Sequence, residues 1–249
     1  MDPQGKVAVI SGGASGIGLA TARLLGSRGA HLVLADLQAE AGAAAVKELE
    51  SAGAQAHFVE TDVLKRADLQ RMLDAATERF GRVDIVHNNA GISERGDFFS
   101  TDPAAWQRVV EVDLTAVIEA TQLAVQHIRK QGGGGVIINT ASMAGLVPVS
   151  ASPIYAAAKA GVVHFSRSLV HLAAEEIRVN AICPQYTDTP MVRAGGEAAM
   201  EFMRREVGGI LTADQIAEGV LQLVEDESRA GAVMRVTFRK GIDYYFERR

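Results

Sequence analysis

Cysteine is nearly absent: Cys183 is the only one in 249 residues. A lone thiol cannot close an internal disulfide and fits a reducing compartment. Cys183 has no histidine or cysteine neighbour at metal-ligand spacing, so it reads as a small buried residue of the run 179–183. His87, His127, His164 and His171 show no metal spacing either and read as packing or surface residues; no metal is expected. Blocks of positive charge are missing too. The formal net charge is −5, and no basic cluster is longer than Arg248-Arg249. Nothing here argues for nucleic acid or an anionic membrane as partner. No apolar run reaches the roughly 20 residues of a membrane span, and the N-terminus has no signal-peptide pattern. A cytoplasmic protein is the expectation. Gly-x-Ser-x-Gly is also absent, so a hydrolase reading has no support.

What is present is an ordinary globular composition, 48% apolar and 22% charged. The length suits one large α/β domain or two small ones. Strand-like apolar runs lie at 6–11, 31–36, 55–60, 83–88, 136–141, 178–183 and 232–237. Between them fall helical segments at 16–28, 38–51, 65–80, 103–131, 153–176 and 212–224. Leu69, Met72, Leu73, Ala76 and Phe80 put one apolar stripe on the third helix. Continuous Val, Ile and Leu runs suit strands covered on both faces. The alternation predicts an α/β fold, a doubly wound, mostly parallel seven-stranded sheet with helices on both faces. No linker, repeat or low-complexity stretch appears, and the glycines at 132–135 read as a turn. One domain over 1–249 is expected.

The first strand runs into Ser11-Gly12-Gly13-Ala14-Ser15-Gly16-Ile17-Gly18 and then a helix. Gly12, Gly16 and Gly18 permit a tight turn and let the backbone approach a phosphate. Ser15 to Gly18 open the helix, whose first N–H groups and dipole favour an anion. The setting in a βαβ unit makes this a Rossmann-type nucleotide site. Asp36 ends the second strand, eighteen residues after Gly18. Its carboxylate can bind both hydroxyls of an adenosine ribose and repels a 2′-phosphate. Neither Ser15 nor Leu37 offers a cation to offset that repulsion, so NAD is favoured over NADP. A second reading of Asp36, as a cap for the next helix, stays open. Asp62-Val63, after the third strand, could frame the adenine.

Tyr155-Ala-Ala-Ala-Lys159 supplies the chemistry, with Ser142 thirteen residues upstream. Tyrosine is a poor base at neutral pH, with a free pKa of about 10. A lysine four residues on shares its helix face. At about 4 Å and an effective dielectric near 20, its ammonium would stabilise a phenolate by roughly 4 kcal/mol. Such a pair can take a proton from an alcohol or return one to a carbonyl. Alone, the spacing is also a common accident on a solvated face.

Together these residues resemble the short-chain dehydrogenase/reductase family. The resemblance covers essentially the whole chain: the glycine turn, Asp36, Asp62, Asn88-Asn89-Ala90-Gly91, Ser142, Tyr155, Lys159 and the segment Arg178-Val-Asn-Ala-Ile-Cys-Pro184. Gly209-Ile-Leu, Gly231-Ala-Val-Met-Arg and Lys240-Gly-Ile look most like hydroxyprostaglandin dehydrogenases and their relatives. The resemblance implies Tyr155 as catalytic base, Lys159 to lower its pKa and bind the nicotinamide ribose, and Ser142 to hold the substrate oxygen. It implies that Asn89, Ala90 and Gly91 line the cofactor groove. Pro184, Thr187 and Thr189 would lie at the nicotinamide end. Two positions depart from the family. Asp113 stands where an asparagine usually lends a main-chain carbonyl to the proton relay. It can still present that carbonyl, while its extra charge would alter the local field or be neutralised by a partner. Gln185 stands where Pro-Gly is usual; it either sets an amide beside the substrate or points to the surface.

Loop residues at the carboxyl edge of the sheet should meet the substrate. They include Ile92, Ser93, Ser142, Met143, Leu146, Val149, Ser152, Gln185, Tyr186 and Met191, a mainly apolar set. Glycine pairs 195–196 and 208–209 bracket a short segment, so 189–210 reads as a substrate lid, or as an ordinary packed surface helix. The aromatic tail Phe238, Tyr244, Tyr245 and Phe246 covers a pocket or a neighbouring subunit, or frays. Apolar positions on 103–131 and 153–176, among them Leu114, Val117, Leu123, Val125, Ile128, Val162, Phe165, Leu169 and Leu172, exceed one buried stripe. They suit the family's four-helix contact, hence a homodimer or homotetramer. The expected activity is NAD-dependent interconversion of a secondary alcohol and a ketone on a small, mainly hydrophobic molecule. The alternative is a nucleotide-binding sensor or scaffold of the same fold.

Overall fold

Alternate residues of the first strand, β1 (Val7–Ser11), feed two different cores. Val7 and Val9 pack on one face of the sheet, Ala8 and Ile10 on the other. A period of two sends successive side chains to opposite faces, so a wholly apolar strand needs cover on both. The same holds for β2 (His31–Asp36), β4 (Ile85–Asn88), β5 (Gly135–Thr140) and β6 (Ile177–Pro184). With β3 (Ala56–Glu60), β7 (Val233–Thr237) and β8 (Gly241–Tyr245) they form one sheet, ordered β3-β2-β1-β4-β5-β6-β7-β8. These features come from a computed structural model that describes every residue except 95 and 247–249. Arg248-Arg249 therefore lies outside the described residues.

Helices α1 (Gly16–Ser27), α2 (Ala39–Ser51) and α9 (Ala213–Glu225) cover one face. Helices α3 (Arg66–Phe80) and α5 (Ala116–Gln131) cover the other. The predicted α3 stripe is in place, with Leu69, Met72, Leu73 and Ala76 all buried. Seven strands run parallel and β8 returns antiparallel on β7. This eighth strand is absent from the sequence reading because Gly-Ile-Asp-Tyr-Tyr lacks an aliphatic run. It holds by pairing with β7, by an Arg235–Asp243 ion pair and by packing Tyr244 and Tyr245 on the cores. Those two tail aromatics thus neither fray nor need a second subunit.

Both long predicted helices are broken. The segment 103–131 comprises α4 (Pro103–Val110), a π-helical turn (Glu111–Thr115) and α5. The π turn spans only five residues inside a continuously helical stretch, too local a change for apolar period over a long window to register. The segment 153–176 is α6 (Pro153–Ser168) followed by a 3₁₀ stretch, Val170–Glu175. Two short helices, α7 (Pro190–Arg193) and α8 (Glu197–Val207), follow β6.

Candidate active site

The chain leaves β1 and β4 in opposite directions across the sheet, which opens a crevice at their carboxyl ends. Ser11 ties the two ends together: its Oγ accepts the N–H groups of Asn89 (3.0 Å) and Ala90 (3.1 Å). Asn89 donates back through its amide to Ser11 O at 3.1 Å. The glycine turn fills the floor. Gly12 and Gly16 have φ of 63° and 52°, a region that favours glycine. A Cβ on Gly18 would meet Gly12 O at 2.1 Å, so only glycine lets α1 start this close. Ser15 sits at the N-cap of α1 with no side-chain capping bond. The first N–H groups of a helix have no intrahelical acceptor and are open to an anion here.

Asp36 uses both carboxylate oxygens on nearby backbone. Its Oδ2 accepts Ala14 N–H at 3.1 Å, bracing the glycine turn, and its Oδ1 accepts Gln38 N–H at 3.1 Å where α2 begins. Leu37 beside it is exposed. Asp62 closes its own turn by accepting Leu64 N–H at 3.1 Å, and Val63 packs on the core. Thr189 caps α7, and its methyl would lie 3.3 Å from a Cβ on Gly16. Thr187 is buried and donates to Gln185 O at 2.8 Å, close behind Pro184 at the end of β6.

The catalytic candidates converge beside this crevice. Tyr155 and Lys159 share one face of α6, with Lys159 Nζ 5.6 Å from the phenol ring centre. Ser142 follows β5, its Oγ accepts Ala144 N–H at 3.1 Å, and it acts to lower the pKa of the Tyr155 phenol. Lys159 is buried, donates to Thr140 O at 3.0 Å and lies 3.1 Å from Asp113 Oδ1. Asp113 is buried on the π turn, and its charge is paired with that of Lys159. Burial pushes the Asp113 carboxyl above the usual range, with Lys159 offsetting part of that. Burial also works against the Lys159 charge, yet Asp113 and Tyr155 carry its pKa above the ordinary value. For Tyr155 burial acts upward first, Lys159 draws the phenol down, Asp113 pushes it up again, and the net is upward. The phenol therefore does not receive the whole lysine charge expected from the sequence, because that charge is shared with a carboxylate. Cys183 faces the same cluster as a thiol pushed up to about 12 by burial.

A cavity of about 470 Å³ adjoins this cluster, lined by Gly91, Ile92, Ser93, Glu94, Trp106, Arg108, Val109 and Met191 among others. Of the ten loop residues expected to meet the substrate, Ile92, Ser93 and Met191 lie in its wall. Met143 packs against the core under α6, and Ser152 is the N-cap of α6 without a side-chain bond. Tyr186 donates its hydroxyl to Glu206 at 3.0 Å. Gln185 is half-buried and its acceptor is engaged: its Oε1 accepts Phe238 N–H at 2.9 Å, tying the end of β6 to the turn after β7. Glu94, Trp106 and Arg108 were missed. No spacing marks them, because a loop and the first turns of α4 bring them together. Glu94 Oε2 accepts the N–H groups of Ile154 and Tyr155, both at 2.9 Å, and so caps α6. A buried polar cluster behind the site, Asn88, Thr121, Asn139 and Ser166, was also invisible as a unit. His87, held neutral by burial with a pKa near 3, bonds Thr140 beside it, the packing role read for it.

Comparison with known proteins agrees with this geometry. The family model for short chain dehydrogenases matches residues 6–199. Cis-4-hydroxycyclohexanecarboxylate dehydrogenase of Sinomonas cyclohexanicum is 41% identical over 238 residues, 93% of this chain and 94% of that protein. The NAD(+) 15-hydroxyprostaglandin dehydrogenase of Bos taurus is 34% identical, covering 98% of this chain and 95% of its own. The crystal structure of a short-chain type dehydrogenase/reductase from Mycobacterium marinum superposes with a TM-score of 0.90 at 28% identity, covering 95% of each chain.

Proposed function

The chain belongs to the short-chain dehydrogenase family, and on that premise we propose that it is an NAD-dependent enzyme interconverting a secondary alcohol and a ketone, with Tyr155 as acid and base. The observation that carries this reading is the convergence of Ser142, Tyr155 and Lys159 beside the crevice at the β1/β4 switch point.

The crevice fits a dinucleotide. The Gly18 contact and the uncapped start of α1 leave a space lined by backbone N–H groups that a pyrophosphate would fill. Gly12, Ser15, Gly16, Ile17 and Gly18 would hold it. Asp36 and Leu37 would meet the adenosine ribose, and Asp62 and Val63 the adenine. Asn89, Ala90 and Gly91 would line the middle. Tyr155 and Lys159 would meet the nicotinamide ribose, and Pro184, Thr187 and Thr189 the nicotinamide. The name of the Bos taurus relative supports NAD as the nucleotide. When bound, NAD accepts the hydride in alcohol oxidation and its reduced form gives one in ketone reduction.

The side chains handle the proton. Ser142 holds the substrate oxygen next to the phenol. In oxidation Tyr155 as phenolate takes the alcohol proton; in reduction Tyr155 as phenol gives its proton to the ketone oxygen. Lys159 supplies the positive charge beside the phenol and is fixed by Thr140 O. Cys183 stays a thiol and takes no part. Residues 189–210, with α8 between Gly196 and Gly208, act as the lid, since Met191 already forms cavity wall. Ile92, Trp106 and Val109 suit an apolar ring. Arg108, which has no ion-pair partner among the described residues, suits a carboxylate. With the name of the Sinomonas relative, this supports a hydroxylated alicyclic acid as the first substrate to try. The chain assembles as a homodimer or homotetramer in the cytoplasm. The test is a panel of secondary alcohols, headed by cis-4-hydroxycyclohexanecarboxylate, incubated with NAD while NADH absorbance is followed. No NADH from any member would count against the reading.

A further inference from the structure

Asp113 puts a carboxylate where acid–base chemistry at Tyr155 needs none. It is fully buried. Its Oδ1 lies 3.1 Å from Lys159 Nζ and accepts Ile92 N–H at 3.2 Å. Its Oδ2, equally buried, has no hydrogen-bond partner among the described residues. The position is built for this group. The π turn carries it, and Gly91 makes room for it, because a Cβ there would stand 2.6 Å from Oδ1.

An amide at this position could accept the same two hydrogen bonds through its oxygen, so hydrogen bonding does not call for the charge. Burying a charge is also unfavourable by itself. What the carboxylate adds is one negative charge beside Lys159. With Tyr155 as a phenol, the buried set Tyr155, Lys159 and Asp113 is neutral; with a phenolate it carries −1. With an asparagine in place of Asp113 the two states would carry +1 and zero. A site of low polarity favours the neutral set in each case, so the carboxylate and the amide favour opposite states of Tyr155.

We propose, resting on the reading of Tyr155 as acid and base, that Asp113 is a positioning residue: paired with Lys159, it keeps the proton on Tyr155 at neutral pH. Ketone reduction is thereby favoured near neutrality, and alcohol oxidation requires alkaline pH. The groups around the phenol agree. Lys159 on α6 and Ser142 after β5 act downward, while Asp113 on the π turn and burial act upward. Cys183 on β6 stays a thiol below its pKa of about 12 and adds no charge near neutrality. Glu94, from the loop after β4, is engaged by the backbone N–H groups at the start of α6.

The test is Asp113→Asn, read in two ways. Tyrosinate absorbance of the free protein, titrated with pH and differenced against Tyr155→Phe, isolates the Tyr155 proton without cofactor or substrate. The pH profiles of kcat/KM in both directions report the same group in turnover. A negative charge nearby raises the phenol pKa, so its removal lowers it. The Tyr155 titration, the rising limb of oxidation and the falling limb of reduction should all move to lower pH by about one unit, making oxidation at pH 7 about tenfold faster. A variant that is slower at every pH with unmoved limbs would reduce Asp113 to a structural role and overturn the proposal. So would unaltered protein whose oxidation rate is flat down to pH 7, a result that needs no variant. If instead Tyr155→Phe stays active, it is the underlying assignment of Tyr155 that fails.

Discussion

Asp36 serves two neighbours with one carboxylate. It braces the glycine turn through Ala14 N–H and accepts Gln38 N–H just before α2. A 2′-phosphate would meet that charge with no cation from Leu37 to offset it. Asp36→Ala should therefore narrow the preference for NAD over NADP, measured as the ratio of kcat/KM values; an unchanged ratio would show that the preference lies elsewhere. At this scale the sequence was legible where spacing along one element sets the geometry. Tyr155 and Lys159 need only a helix to meet, and Gly12, Gly16 and Gly18 need only a turn. Asp113 and Gln185 were visible as departures, but their partners were not. Lys159 reaches Asp113 only because a π turn presents it, and Gln185 finds Phe238 only because β6 and β7 pair.

Helix α6, which carries Tyr155, begins without its own cap. Ser152 makes no side-chain capping bond, and Glu94 supplies the acceptor from the loop after β4. A carboxylate at a helix N-terminus satisfies free N–H groups and complements the dipole. Because Tyr155 lies in that first turn, the contact couples the cavity wall to Tyr155. Glu94→Ala should cost about 1 kcal/mol, seen as a melting temperature lower by about 3 °C. It should also lower kcat more than it weakens NAD binding, and Glu94→Gln should recover part of both. An unaltered melt and an unaltered kcat would contradict this role. Cross-element capping recurs at Arg178, which enters the far end of α9 and donates to Leu223 O at 2.8 Å and Val224 O at 2.9 Å. The sequence shows these residues but not the caps, since each joins elements far apart in the chain. Strands and helices themselves were readable from apolar period; the π turn and the 3₁₀ stretch, five and six residues long, are too short to alter it over a long window.

Across the molecule, sheet order places every candidate at one edge. The doubly wound, mostly parallel sheet was legible because βαβ alternation leaves few arrangements; its strand order was not read. The antiparallel β8 was not, since its pairing with β7 rather than its composition makes it a strand. The apolar surplus of the long helices is smaller than the sequence suggests. Val117, Leu123, Val125, Ile128, Val162 and Leu172 are spent on the chain's own core. Leu114 and Phe165 stay half-buried and Ile118 exposed, which leaves α5 and α6 a surface for a second copy. Sedimentation should give a dimer or tetramer, and a single species at the 26.4 kDa chain mass would reject assembly. The central claim is that one phenol moves the proton for the whole enzyme. Its direct measurement is NADH formation from the best alcohol of the panel by unaltered protein and by Tyr155→Phe, with NAD binding measured on both. The account predicts turnover lost by about a thousandfold or more with NAD affinity nearly intact; a Tyr155→Phe protein that binds NAD and retains most of its turnover would contradict it.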